Sequence, residues 1–318
     1  MKTSRSELAS AIRSGDNFLL LTHRRPDGDT LGSAAALCRG LRAIGKQASL
    51  LHNPEATEKY APFLTGLTVD AVPAGATLFA VDMATEGLLA LNATELAGKI
   101  ALCIDHHGSN TDYAGLTWVE PGYAACGESV LELLEELGAE LTPEMASALY
   151  LAMSTDTGCF RYSNTTPDTL RKAAQLQEAG AATYEINRQF FAIKSLARMR
   201  LETLLGEKLE VFADGKLAMV ALTPEMLEQT GACDDDIEDL ANFPRQIEGV
   251  LVAVYIRVLS TGEGKISVRT ERGYNASAIC AHLGGGGHIA AAGATVAAGL
   301  EAAREGILKA IKAETGLG

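Results

Sequence analysis

Three short apolar segments of this chain each lead directly into Asp or His side chains. The segments are residues 18–22, 77–81 and 100–104, and each has the length of a buried β-strand. Segments with helical periodicity occur between and after them. Strands that alternate with helices predict an α/β fold with an N-terminal, mostly parallel sheet covered by helices on both faces. In such sheets ligands bind beyond the carboxyl ends of the strands.

The helical segments are marked by the residues at their ends. Residues 31–44 are rich in Ala and have helical periodicity, and Gly45 is placed as a C-terminal stop. Residues 143–154 form another helical pattern, with Thr142 as the predicted N-cap and Pro143 in the first turn. The other elements expected in this half are a helix at 5–14, strands at 47–52 and 116–119, and a helix at 128–137.

The polar residues at these element ends form a set of acids and imidazoles. The set consists of His23, Asp27, Asp29, Asp82, Asp105, His106, His107 and Asp156. A polar loop after a strand is the structural alternative for each group taken alone. Three of the six histidines of the chain lie in the set, however, and its members are predicted at one edge of a sheet. This concentration favours a functional site.

The residue types of this set suit a divalent cation. Carboxylates with imidazoles and no thiolates are the ligands of a hard to borderline ion such as Mn²⁺. The supply of ligands exceeds the needs of one ion. Two ions that share a bridging carboxylate fit the supply, and such pairs, about 3.5–4 Å apart, activate a water for in-line attack on phosphorus.

Charge and cysteine content restrict the partners and the location. The formal net charge is −13, which argues against tight binding to long duplex nucleic acid. The start of the chain lacks the apolar core of a signal peptide, and no apolar stretch is long enough to span a bilayer. The six cysteines form no CxxC pair, which favours reduced thiols. We therefore expect a cytoplasmic protein without a membrane partner.

The second half is predicted to be a smaller α/β domain. Two hairpins are expected, and they are 208–212 with 216–222 and 250–259 with 265–270. Residues 186–206 have helical character, followed later by helices at 224–230, 275–282 and 300–312. The predicted organisation is a metal-binding catalytic domain at 1–190, a helical connector at 191–207 and a substrate-binding domain at 208–318.

Four consecutive glycines, Gly284–Gly287, precede His288. Their backbone amides could close around an anion without interference from side chains, and His288 could add a donor to a phosphate. A flexible turn is the alternative interpretation of the same residues.

Five motifs in this order resemble those of the DHH phosphoesterase superfamily with its DHHA1 domain. The motifs are His23-x-x-x-Asp27-x-Asp29, Val81-Asp82, Asp105-His106-His107, Thr155-Asp156-Thr157-Gly158 and Gly284-Gly-Gly-Gly-His288. In length and layout the chain is most similar to the bacterial bifunctional nanoRNase (oligoribonuclease)/pAp phosphatases.

The resemblance implies six ligands for two divalent ions of the Mn²⁺ type, in two sites that share Asp82. The ligands of one site are His23, Asp27 and Asp82, and those of the other are Asp29, Asp82, His106 and Asp156.

The resemblance also implies catalytic and substrate-binding residues. Asp105 would orient a ligand, and His107 would contact the scissile phosphate or protonate the leaving oxygen. Arg269 matches an arginine that grips the substrate phosphate, and Arg161 is a further candidate. The remaining expected substrate contacts are Gly285, Gly286, Gly287 and His288.

The implied function is metal-dependent hydrolysis of short single-stranded oligonucleotides to mononucleotides, and of the 3′-phosphorylated nucleotide pAp to AMP. An aromatic content of 5% leaves few platforms for stacking long single strands, which favours short substrates. Hydrolysis of linear or cyclic dinucleotides is an alternative. A non-catalytic nucleotide-binding regulator is an alternative of another class, which turnover with Mn²⁺ would exclude. The oligomeric state, monomer or homodimer, stays open.

Overall fold

The chain divides into two compact units, Met1–Ile193 and Lys194–Gly318. The computed structural model describes residues 2–237, 239–297 and 299–317. The strands of the first unit are β1 (Phe18–Leu21), β2 (Ala48–Leu51), β3 (Thr68–Val69), β4 (Thr77–Val81), β5 (Leu102–Asp105) and β6 (Leu116–Val119). They form one sheet in the order β3-β2-β1-β4-β5-β6, and all neighbours in it are parallel. The predicted α/β fold with a parallel sheet is confirmed.

The helices predicted at 5–14, 31–44, 128–137 and 143–154 are present in the first unit, some with shifted boundaries. The helices of this unit are α1 (Arg5–Ser14), α2 (Gly28–Ala43), α3 (Ala61–Leu64), α4 (Cys126–Leu137), α5 (Pro143–Asp156), α6 (Pro167–Glu178) and α7 (Thr183–Asn187), of which α3 and α6 are additional. The start of α2 differs most from expectation, because Asp27 is its N-cap and Asp29 lies in its first turn. The sequence pattern had placed both residues in a loop before a helix that begins at residue 31.

The two faces of the first sheet are covered differently. Phe18 and Leu20 of β1 face the α-helices, while Leu19 and Leu21 face a second apolar cluster. That second cluster is completed by residues of the segment 83–100, which contains the short 3₁₀ helices Glu86–Leu88 and Leu91–Leu96. The helices expected on both faces are therefore α-helices on one face and 3₁₀ helices on the other. Burial on both faces explains why these strands are uninterrupted apolar runs.

The second unit is built around a mixed sheet. Its strands are β7 (Glu210–Phe212), β8 (Leu217–Leu222), β9 (Val252–Val258), β10 (Gly264–Thr270), β11 (Gly286–Gly287) and β12 (Ala291–Val296). They lie in the order β11-β12-β10-β9-β8-β7, with β8 and β9 parallel and the other neighbours antiparallel. Both predicted hairpins, β7 with β8 and β9 with β10, are present. The helices are α8 (Leu196–Glu207), α9 (Pro224–Thr230), α10 (Ala276–Ala281) and α11 (Gly299–Thr315).

The continuous helix predicted for residues 186–206 is divided. A π-helical turn, Arg188–Ala192, follows α7, and α8 begins after the N-cap Ser195, whose side chain accepts a hydrogen bond from the amide of Arg198. The division between the two units lies at residue 193, in this interruption. Within the described ranges, no helix combines the length and apolar character needed to cross a bilayer.

Gly32 controls how closely α2 approaches α5. A Cβ at this position would lie 2.4 Å from the carbonyl oxygen of Ala148 and 3.1 Å from the amide nitrogen of Ala152. Both atoms belong to helix backbone, which cannot move aside as a flexible side chain can. The two helices carry Asp29 and Asp156, so this contact also sets the spacing of two candidate ligands.

Gly32→Ala should therefore destabilise the first unit. Forcing a methyl group into this contact should cost about 1–3 kcal/mol of unfolding free energy, measured by urea unfolding. Gly206→Ala, in α8, is the matched control, since no described atom lies within 4 Å of its added methyl group. The free energy of unfolding of this control should be unchanged or higher by about 0.5–1 kcal/mol. Equal stability of the Gly32→Ala and wild-type proteins would show that the helices are not in this close contact.

Candidate metal centre

The strand order places three of the predicted residues beside one another. Strands β1, β4 and β5 are neighbours in the sheet, and all three run in the same direction. His23 follows β1, Asp82 follows β4, and Asp105 is the last residue of β5. Their side chains consequently meet at the carboxyl edge of the sheet, where the sequence predicted them.

The N-terminus of α2 supplies two further acids that backbone amides hold in place. Asp27 Oδ1 accepts hydrogen bonds from the first two amides that follow Gly28, at 3.0 and 3.1 Å. Asp29 is buried and accepts a hydrogen bond from Ser33 Oγ at 2.9 Å. Its carboxylate also accepts from the amides of Cys126 at 2.7 Å and Gly127 at 3.0 Å. Asp29 thereby joins the start of α2 to the start of α4.

The first donor set consists of His23, Asp27 and Asp82, whose ligand atoms lie within 4.8 Å of one another. His23 Nε2 is 3.8 Å from Asp27 Oδ1 and 3.8 Å from Asp82 Oδ2. His23 Nδ1 lies 2.9 Å from the carbonyl oxygen of Arg24. A carbonyl can only accept, so Nδ1 carries a proton, and Nε2 is the nitrogen that faces the two carboxylates and could bind a cation.

The second donor set consists of Asp29, His106 and Asp156. His106 Nε2 is 3.6 Å from Asp29 Oδ2 and 3.7 Å from Asp156 Oδ2. His106 Nδ1 lies 3.1 Å from the carbonyl oxygen of Tyr123, which fixes the same tautomer as in His23. In both imidazoles Nδ1 is hydrogen-bonded to a carbonyl group, so Nε2 is the nitrogen that faces the carboxylates.

Asp82 lies between the two donor sets. Its Oδ2 faces His23, and its Oδ1 is 3.5 Å from His106 Nε2. Asp82 is 3% exposed, and Oδ1 has no hydrogen-bond partner among the described residues. The backbone at Asp82 has φ 56°, in the left-handed region that is costly for a side chain other than Gly. Distances of 3.5–3.8 Å are too long for hydrogen bonds but suit donors around a cation.

The electrostatics of the site also fit a cation. Burial, together with repulsion from Asp29 and Asp27, holds the pKa of Asp82 well above its ordinary value. Burial and neighbouring carboxylates likewise raise the pKa values of Asp29 and Asp156. For Asp27, burial favours a higher pKa, but hydrogen bonding and attraction from His23 outweigh it, and the pKa falls. The donor types, the unpartnered oxygen and the fixed tautomers all fit a divalent ion.

Asp105 is held differently from the other acids. It is fully buried, and its Oδ1 accepts hydrogen bonds from His107 Nδ1 at 2.7 Å and from the amides of His106 and His107 at 2.8 and 3.2 Å. Its Oδ2 accepts from Asn110 Nδ2 at 2.6 Å. Burial disfavours the imidazolium of His107, but Asp105 outweighs this and raises the pKa of His107.

Several groups that orient this site are not among the residues predicted from the sequence. Asn110 and Ser33 hold Asp105 and Asp29 through their side chains, and the carbonyl groups of Arg24 and Tyr123 fix two imidazoles. Asn110 follows the DHH motif in a short polar turn, and turn chemistry was the available signal for it. The two carbonyl groups have no signature in the sequence, because any residue type can supply them.

The predicted substrate-binding arginines lie in separate units. Arg161 of the first unit is exposed on the turn after α5, and its Nε donates to the carbonyl oxygen of Gly158 at 2.6 Å. Arg269 of the second unit lies on β10. Its Nε is 3.3 Å from Asn242 Oδ1, and its Nη1 donates to its neighbour's carbonyl oxygen at 3.2 Å.

The glycine segment is more ordered than a flexible turn. Gly286 and Gly287 form β11 against β12, and His288 is exposed at the turn between them. A Cβ on Gly285 would lie 2.2 Å from the carbonyl oxygen of Gly293, so close strand pairing requires glycine there. The amides of Gly285 and His288 donate to backbone carbonyl groups at 2.9 and 2.8 Å. Part of the expected amide supply is therefore used within the fold.

Metal-free protein should become more stable when Asp82 is neutralised. Folding raises the pKa of Asp82, so the folded chain binds more protons than the unfolded chain above the ordinary carboxyl range, and its stability falls as pH rises. In EDTA at pH 7–8, Asp82→Asn should raise the unfolding free energy by about 0.5–2 kcal/mol. Thermal unfolding should show this gain shrinking as the pH falls below about 4, the ordinary pKa of an aspartate, because Asp82 then becomes protonated in both states. Asp70→Asn is the exposed control and should change nothing. A destabilised Asp82→Asn protein would contradict the prediction.

Two family descriptions match this chain. The DHH family, N-terminal domain, matches residues 17–153, and the DHHA1 domain matches residues 214–316. The bifunctional oligoribonuclease and PAP phosphatase NrnA of Thermus thermophilus is 36% identical over 93% of this chain and 89% of that protein. The protein of the same name from Bacillus subtilis is 26% identical over 92% and 93% of the two chains.

A solved structure supports the fold. An exopolyphosphatase-related protein from Bacteroides fragilis superimposes with a TM-score of 0.88 and covers 97% of this chain and 95% of its own. At 23% sequence identity this likeness concerns the fold alone. The family matches and the Thermus relative extend the motif resemblance over nearly the whole chain, and the chain belongs to the DHH/DHHA1 family of phosphoesterases.

Proposed function

We propose that this chain hydrolyses short single-stranded oligonucleotides to mononucleotides and converts pAp to AMP, with two divalent ions, Mn²⁺ in the first instance, as cofactors. Relatives that match over nine-tenths of the chain carry the name of a bifunctional oligoribonuclease and PAP phosphatase. All six cysteines are free thiols, which suits the reducing cytoplasm as the place of action.

The position of Asp82 carries the two-ion proposal. Its two oxygens face different imidazoles, His23 and His106, and each imidazole belongs to a separate donor set. A carboxylate in this position can serve both sets at once, as a bridging ligand does. Divalent ions held there would supply an activated water and neutralise the charge that develops on the phosphate.

His107 is proposed as the proton donor to the leaving oxygen. Its Nδ1 is hydrogen-bonded to Asp105, so Nε2 is the ring nitrogen that remains available to contact substrate. The side chain is 32% exposed, in contrast to 3% for Asp82. Because Asp105 raises the pKa of His107, the imidazole retains its proton at a higher pH than an isolated histidine would. Asp105 acts through His107 and holds its ring in one orientation.

The substrate phosphate is proposed to be bound by Arg269, His288 and the Gly285–Gly287 segment, with Arg161 as a further contact. The support is the motif resemblance together with the exposure of His288 and Arg161. Arginine and histidine can both donate charge-assisted hydrogen bonds to phosphate oxygens.

A substrate panel tests the proposed function. The purified chain should hydrolyse a dinucleotide, a 5-mer and pAp in Mn²⁺ and lose all activity in EDTA, while pyrophosphate and cyclic dinucleotides should react poorly. Asp82→Asn is the control for contaminating nucleases and should reduce turnover on every substrate by at least about a thousandfold, because it weakens a group that serves both donor sets. Preferential turnover of cyclic dinucleotides would replace the proposed function with cyclic-dinucleotide hydrolysis. A complete lack of turnover with intact binding of pAp would favour a regulator.

The role of His107 can be tested through the leaving group. His107→Ala should lower kcat on a dinucleotide by about 10²–10⁴-fold, since general acid catalysis contributes that much. The same variant should show a far smaller loss of kcat on a 4-nitrophenyl ester of a nucleoside 5′-phosphate, whose leaving group needs no proton. Asp105→Asn should lower the pKa of His107 and move the alkaline limb of the kcat profile to lower pH. An equal loss on both substrates would contradict the acid role.

A further inference from the structure

The second donor set is contacted by the loop between β6 and α4, residues 120–125, and by the first turn of α4. The carbonyl oxygen of Tyr123 holds His106 Nδ1 at 3.1 Å. The amides of Cys126 and Gly127 donate to the two oxygens of Asp29, at 2.7 and 3.0 Å. Two of the three members of this set are therefore oriented by backbone groups of one short segment.

The third member, Asp156, is joined to the same loop through Asn164. Asn164 Nδ2 lies 3.2 Å from the carbonyl oxygen of Ala124 and 3.1 Å from that of Asp156. A displacement of the loop would thus act on the groups that orient His106 and Asp29 and on the backbone that carries Asp156. The first donor set is held by other groups, since His23 is oriented by the Arg24 carbonyl and Asp27 by amides of its own helix.

A buried lysine on α6 holds this loop in place. Lys172 is 7% exposed, and its Nζ lies 3.8 Å from the centroid of the Tyr123 ring. The same Nζ is 3.1 Å from Glu128 Oε2 and 2.9 Å from Glu132 Oε1. Glu128 Oε1 accepts the amide of Ala124 at 3.0 Å, and the Tyr123 hydroxyl donates to Glu132 Oε1 at 2.6 Å. The ammonium group therefore fixes both the ring and the backbone of the loop.

The exposed Arg5 also pairs with Glu132, and Thr169 Oγ1 donates to Glu128 Oε1, but among the described residues the buried cation of this network is Lys172. Asp168 Oδ2 is also 3.0 Å away, so one buried cation lies among three carboxylates. Removing a partner from a buried ionic network leaves uncompensated charge and usually forces local rearrangement. The carboxylates of α4 would repel one another, and the Tyr123 ring would lose its cation–π contact.

We propose that Lys172 is a positioning residue for the second donor set: through Tyr123 and Glu128 it fixes the loop and the adjoining start of α4, which orient His106 and Asp29. The metal-binding part of this inference rests on the proposed function, because it takes the second donor set to hold a divalent ion. The segment that Lys172 holds contacts His106 and Asp29, whereas His23 and Asp27 are oriented by other groups, so the expected effect is selective for the second set.

The test compares two lysine substitutions. Lys172→Met removes the charge and keeps the length of the side chain. Lys46→Met is the matched control, because Lys46 also fixes backbone in the first unit, donating at 2.7 Å to the carbonyl groups of Arg13 and Gly15. Tyr123→Leu is the second variant, which keeps the ion cluster and removes the ring and its hydroxyl, and it replaces Lys172→Met if that protein does not fold.

Two measurements decide the outcome. Mn²⁺ titration followed by electron paramagnetic resonance should show one of two sites weakened by about 10–100-fold in Lys172→Met, with the other within about twofold of wild type. In the metal-free protein, ¹⁵N spectra should show His106 protonated on Nδ1 in wild type and in a tautomer mixture in the variant, with His23 unchanged. Lys46→Met should lower stability and leave both measurements at their wild-type values.

The results separate this inference from the proposed function. Equal weakening of both sites, or unchanged binding together with an unchanged His106 tautomer, would overturn the positioning role. A wild-type protein that binds fewer than two ions would contradict the proposed two-ion function. The tautomer measurement needs no metal and no turnover, so it tests the link from Lys172 to His106 in either case.

Discussion

Mutual repulsion among buried carboxylates at the carboxyl edge of the first sheet is the constraint on which the rest of that unit depends. Asp82 is 3% exposed and lies near Asp29 and Asp27, both of which raise its pKa. Such an arrangement costs stability in the absence of a cation. The surrounding fold holds it with strands that are buried on both faces and with a contact between α2 and α5 that only glycine permits at position 32.

The acids at this edge are not equally compensated by the protein. Asp27 and Asp29 each accept backbone amides at a helix N-terminus, where the helix dipole also favours negative charge. Asp105 accepts hydrogen bonds from two amides, an imidazole and Asn110. Asp82 Oδ1 has no such donor among the described residues. The fold thus stabilises Asp27, Asp29 and Asp105 through its own groups, while a cation could compensate the charge of Asp82.

The sequence predicts which residues meet at this site better than it predicts the groups that orient their side chains. Strand ends and the direction of a parallel sheet were enough to bring His23, Asp82 and Asp105 together, because that geometry follows from the fold class. The start of α2 was placed three residues late, since Asp27 and Gly28 read as turn residues when their capping role is unknown. The contacts that connect Lys172 to His106 cannot be predicted from the sequence pattern, because they join α6, α4 and a loop through residues far apart in sequence.

In the second unit, the packing reason for the glycine run could not be predicted from the sequence either. The run Gly284–Gly287 was interpreted as a supply of free amides, with a flexible turn as the alternative. The structure gives the glycines a packing reason that neither interpretation contained, because Gly285 lies too close to the carbonyl oxygen of Gly293 for any side chain. Close strand pairing therefore explains why position 285 requires glycine. The proposed binding of phosphate would depend on His288 and on amides that do not pair within the sheet.

The geometry around His107 decides between two uses of an imidazole. Its Nδ1 lies 3.6 Å from Asp82 Oδ1, close enough for His107 to join Asp82 and His106 as a third group of donors. The same Nδ1, however, is 2.7 Å from Asp105, whose buried carboxylate can only accept. The proton on Nδ1 is therefore committed to Asp105, and that nitrogen has no lone pair for a cation. In His23 and His106 a carbonyl group holds Nδ1, which leaves Nε2 available for the proposed ligand role, whereas a carboxylate on His107 favours the protonated ring. The two neighbouring imidazoles of this motif therefore have different hydrogen-bond partners, which supports the different roles proposed for them.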